Sequence, residues 1–203
     1  MRPTARTIGK WTAELFLVFI GAYAAFWLNS YQERQRDAQR RDVILASLEK
    51  DVRESIDAAH KHTEKLGKDA AAFRAMVDAG EMPAMPPFVF ITDYSPTDVA
   101  TLLQSGGVEL LDPNTLSAVR KVESSVRAWV AEMARDEKLS DQLIVPNVEQ
   151  GPEFFYDPAT KKIRKRFEFY PKGLQDAAEF FADVERLETE LLKQIQIERQ
   201  KHK

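Results

Sequence analysis

Only three histidines occur in the 203 residues, His60, His62 and His202, and cysteine is absent. Chemistry that needs an imidazole or a soft metal ligand must pass through these positions. His60 and Glu64 stand four residues apart, the spacing that puts two ligands of a metal pair on one helical face. A metal-dependent hydrolase built on them is the one enzymatic reading the residues offer. Two ligands do not make a site, however, and no second motif supplies a third. The same residues read more simply as solvent-facing positions on a charged helix. The chain has no Gly-rich phosphate loop, no nucleophile elbow and no Glu-x-x-His pattern of carboxylate metal bundles. No catalytic, cofactor-binding or metal-binding residue is therefore expected, and the protein is read as non-enzymatic.

Charge points elsewhere. The chain carries 29 Lys+Arg against 32 Asp+Glu, so no net electrostatic drive toward nucleic acid exists. Residues 81–160 hold 13 acids and 5 bases, and a basic knot follows them directly: Lys161, Lys162, Arg164, Lys165 and Arg166. Aromatic runs flank it, Phe154-Phe155-Tyr156 before and Phe167-Glu168-Phe169-Tyr170 after. With Asp157-Pro158-Ala159-Thr160 as the turn, residues 153–170 are predicted to form a small β-hairpin. Its cations are the candidate partner surface. They can also pair with the acidic stretch of the same chain, or with anionic headgroups. Long helices below the hairpin would hold it roughly 25 Å from a bilayer, which favours a protein or glycan partner over lipid.

The elements that must position these residues are helices. Residues 11–28, WTAELFLVFIGAYAAFWL, are the one strongly apolar run. Trp11 at one end and Trp27 with Tyr31 at the other are placed like interfacial aromatic belts about 30 Å apart. A cleaved signal peptide is opposed by Glu14, which interrupts the apolar core such a peptide needs. Residues 11–31 are thus predicted to be a transmembrane anchor behind a short basic tail, residues 1–10. On a helical wheel Glu14, Val18, Gly21, Ala25, Leu28 and Asn29 share one side, while Phe16, Phe19, Ile20, Tyr23, Phe26 and Trp27 take the other. Gly21 and Ala25 allow close helix approach, and Glu14 and Asn29 can hydrogen-bond across it, so these four are the candidate association residues.

No proline or glycine lies between Gly21 and Gly67, so the anchor is expected to continue into a long helix. Apolar residues then recur in alternating steps of three and four, from Leu45, Leu48 and Val52 to Phe73 and Val77, a seam of coiled-coil type. Ser95-Pro96 and Asp112-Pro113 read as helix starts, and a last helix carries Leu174, Ala177, Phe181, Val184, Leu187, Leu191 and Ile195. The predicted fold is mainly α: a transmembrane helix continuous with a long soluble helix, and a three-helix bundle over residues 32–203 with the hairpin inserted.

Glu14, six residues, Gly21, seven residues, then Asn29-Ser30-Tyr31-Gln32-Glu33-Arg34 resembles the opening of an uncharacterised bacterial family of single-pass helical proteins. Members read Glu, apolar run, Gly, apolar run, Asn-x-Trp-x-Glu; Tyr31 stands where they have Trp. A second stretch, from Leu102-Leu103-Gln104-Ser105-Gly106 through Leu116, is similar to another segment of that family. The resemblance implies an anchored helical protein and carries no activity.

Together these expectations describe a membrane-anchored interaction or scaffold protein, oligomeric through the small-residue stripe and the seam. Its partners would be the lipid bilayer and either a second copy or another membrane protein. The shorter, acid-free N-terminal flank favours a bacterial inner-membrane, single-pass arrangement with the N-terminus cytoplasmic and the body periplasmic. The alternative is an extracytoplasmic ligand-sensing accessory subunit.

Overall fold

The computed structural model describes residues 5–89 and 107–201, with side chains described from residue 16 onward. The chain comprises two compact units, Met1–Ile44 and Leu45–Lys203. Helix α1 (Ala5–Asp78) runs through both without a break. It contains no proline, the residue that would remove a helical hydrogen bond and clash with the preceding turn. Gly80 ends it: at φ +75° its N–H donates to Val77 O at 3.0 Å, and Glu81 N–H donates to Met76 O at 2.9 Å. This is a Schellman stop, and it requires the left-handed backbone that glycine adopts freely.

In the first unit the expected transmembrane anchor is corrected. Among the described residues no helix is long and apolar enough to cross a membrane. The described apolar run, residues 16–28, rises about 20 Å as a helix, against a hydrocarbon core about 30 Å thick. It then meets Asn29 and the charged residues Glu33, Arg34 and Arg36. Trp11 and Glu14, which the anchor reading also used, lie outside the residues whose side chains are described. The single-pass inner-membrane placement, with a cytoplasmic N-terminus and periplasmic body, falls with the anchor.

The second unit is a helical bundle. Its part of α1 is joined by α2 (Pro113–Leu143), the one-turn α3 (Pro152–Phe155) and α4 (Phe169–Lys201), with α2 packed along α4. Leu45, Leu48, Val52 and Ala59 of α1 are buried with Val119, Val122 and Val126 of α2 and Val184, Leu187, Leu191 and Ile195 of α4. Each large side chain so buried contributes about 1.5–3 kcal/mol. The seam expected to join two copies is therefore used up inside one bundle.

A second core closes one end of this unit. Phe73, Met85, Phe88, Ile144, Phe155, Tyr156, Phe167 and Tyr170 form one buried cluster. Residues 81–89 have no regular secondary structure and enter the cluster as a plug, through Met85 and Phe88. Two hydrogen bonds hold the plug: Phe88 N–H donates to Ser140 Oγ, and the Tyr156 hydroxyl donates to Pro83 O, both at 2.8 Å. The helix expected to start at Ser95-Pro96 falls in residues 90–106, outside the described residues.

The predicted β-hairpin is also corrected. No strand occurs among the described residues, and residues 153–170 hold a single antiparallel bridge, Tyr156 to Ile163. Proline at the first helical position starts α3 on one side, and the 3-10 turn Lys165–Phe167 occupies the other. Phe155 and Tyr156 are both buried although adjacent, which breaks the in-out alternation a strand needs.

Candidate functional site

Ten large apolar side chains between residues 16 and 31 are exposed, from 50% at Tyr31 to 76% at Leu17. Gly21, Ala25 and Asn29 are exposed among them, and a Cβ added at Gly21 would meet nothing within 4 Å. Trp27 stacks on Tyr31 at 5.9 Å, one turn away along the same helix. The structure thus sets Gly21, Ala25 and Asn29 on an open helix surface, while the side chain of Glu14 lies outside the described residues.

The basic knot folds into a braced loop. The Asp157 carboxylate accepts from Ala159 N–H and Thr160 N–H, each at 2.9 Å, and these bonds hold its pKa below the usual carboxylate value. Lys161 takes φ +56° at the turn. Arg164 is spent on structure: its guanidinium donates to Tyr156 O and Glu153 O, both at 2.9 Å. Arg166 lies over Phe154 and Phe167, 4.4 and 4.8 Å from the ring centroids. All five cations are exposed, and among the described residues none forms an ion pair. The expected pairing with the acidic stretch is therefore not seen there, and only Lys161, Lys162 and Lys165 keep their charged ends uncommitted.

His60 sits between two carboxylates. Nδ1 lies 3.2 Å from Glu185 Oε1 on α4, and Nε2 lies 3.7 Å from Glu64. One acid faces each ring nitrogen, so the three groups do not converge on a point. Among the described residues no group of three or more His, Asp or Glu could hold a metal ion.

Two glutamates that sequence reasoning passed over are buried on α4. Ser55 Oγ donates to Glu188 Oε1 at 2.8 Å, and Asp112 N–H donates to Glu198 Oε1 at 2.9 Å; the second oxygen of each carboxylate has no hydrogen-bond partner among the described residues. Burial pushes the Glu188 pKa up to about 7, against the lowering effect of the Ser55 bond. The signal was in the spacing. Val184, Glu188, Leu191, Ile195 and Glu198 step by four and three, so both acids occupy seam positions that a polar residue type disguised.

A partly open cavity of about 270 Å³ lies between α1, residues 86–89, α2 and α4. Its walls include Phe88, Tyr170, Phe180 and Phe181. Sequence reasoning assigned Phe181 to the core; Phe180 is the buried one, and Phe181 turns its ring to His62 at 4.7 Å.

No family model matches the chain, and no curated protein or solved structure matches it either.

Proposed function

We propose that this chain is a non-enzymatic helical interaction protein that self-associates through residues 16–31 of α1. One observation carries the reading: ten large apolar side chains are exposed on consecutive turns of one helix. Contiguous exposed apolar surface on one helix marks an interaction site. The buried coiled-coil-type seam in the second unit leaves this segment as the apolar helical surface available for association. Gly21 and Ala25 supply the close-approach stripe for a second copy, and Asn29 adds a hydrogen-bonding group beside it.

The absence of native cysteine makes the test clean. Single cysteines placed from position 16 to position 31 should cross-link between copies with a period near 3.5 residues. Positions 18, 21, 25 and 28 should give the maxima, and positions 16, 19, 23 and 26 the minima. Yields without helical period would contradict the reading.

A further inference from the structure

The cavity in the second unit has the size and lining of a ligand site. Its volume, about 270 Å³, is nearly twice the roughly 150 Å³ at which an apolar cavity takes up a benzene ring. Among the described residues no Asp, Glu, Lys or Arg lines it, so a charged guest would lose its hydration without a partner there. The walls are held in place. Phe88 and Tyr170 stack at 4.6 Å with their planes 4° apart, and Phe180 packs on Phe181 at 4.8 Å and on Trp129 at 6.0 Å. Rigid aromatic walls keep the space open and do not collapse to fill it. Polar groups are few. His62 lines the cavity from an exposed position on α1, and Tyr170 lines it from a buried one, with no hydrogen bond from its hydroxyl among the described residues. A mostly apolar cavity with a few polar groups is the usual form of a small-molecule site.

The geometry points to a binding site for a neutral, flat molecule of about two fused rings that bears one hydrogen-bonding group. Tyr170 hydroxyl or the His62 ring meets that group, and Phe88, Phe180 and Phe181 meet the ring system. Association through residues 16–31 is independent of this site, so either can fail alone.

Indole and naphthalene, titrated into the full chain by calorimetry and thermal melting, are the probes. Both should bind saturably and raise the melting temperature, because a ligand bound only to the folded state stabilises it. Ala177→Leu, which fills the cavity from α4, should keep the fold and weaken both by at least ten-fold. If Ala177→Leu does not fold, Val130→Phe serves the same purpose from the α2 wall. Tyr170→Phe and His62→Phe, tested singly, should show one that weakens indole several-fold and leaves naphthalene unchanged. No saturable binding near the solubility limit, or affinity unaffected by the filling variant, would overturn the assignment.

Discussion

Ser55 and Glu188 join α1 to α4 by a hydrogen bond of 2.8 Å from hydroxyl to carboxylate, at a point where Glu188 is fully buried. The second oxygen of Glu188 has no hydrogen-bond partner among the described residues, and burial raises its pKa from 4.5 to about 7. The folded protein therefore holds the proton more tightly than the unfolded chain does. The stability this group contributes is complete below pH 4.5 and is lost as pH rises through about 7, a loss of about 3 kcal/mol in all. Glu188→Gln removes the titration and keeps the acceptor for Ser55. Urea midpoints should fall between pH 5 and pH 8 for the parent and change much less for the variant, which should be the more stable of the two at pH 8. Parallel pH profiles would contradict this.

Gly173 marks where α4 meets the aromatic plug. A Cβ there would stand 2.8 Å from Phe88 Cε2 and 3.2 Å from Asp136 Oδ2. Alanine gains about 1 kcal/mol of helix propensity over glycine, but overpacking against a ring stacked on Tyr170 costs about 1–3 kcal/mol. Gly173→Ala should be destabilising on balance. In a Phe88→Leu background the same substitution should be neutral or stabilising, a coupling that a double-mutant cycle by urea unfolding measures directly.

Tyr156 is fully buried, and its hydroxyl holds Pro83 O. Tyr156→Phe leaves that carbonyl without its donor and should cost about 1–2 kcal/mol. It should also speed proteolysis within residues 81–89, because the hydroxyl ties this segment to the core. Unchanged stability and unchanged cleavage would mean that Met85 and Phe88 hold the plug unaided.

The long helices were readable because apolar residues recur at three and four, and Gly80 and Pro113 punctuate them. Leu45, Leu48, Val52 and Ala59 are buried as their spacing implied. Residues 153–170 misled because aromatic runs around Asp157-Pro158 look the same whether they pair as strands or turn into a shared core. Only tertiary packing decides, and Phe155, Tyr156 and Phe167 all enter one cluster. Glu188 and Glu198 were hidden because a charged residue type outweighs its position when the partner across the seam is unknown. The anchor reading depended on extending the apolar run back through Glu14 to Trp11, and the described run alone is too short. The cavity was beyond reach, since its walls come from four separate segments.

Self-association through residues 16–31 is tested most directly by sedimentation equilibrium of the full chain, parent against Gly21→Leu, Asn29→Leu and Phe19→Leu. An interhelical hydrogen bond in water contributes only about 0.5–1.5 kcal/mol, whereas a leucine at position 21 sterically excludes the neighbouring backbone. The parent should form one discrete oligomer. Gly21→Leu should raise its dissociation constant at least ten-fold, Asn29→Leu by less, and Phe19→Leu should leave it within two-fold. A monomer at every concentration, aggregates insensitive to all three substitutions, or capture by phosphatidylcholine vesicles in place of a second copy would contradict the proposal.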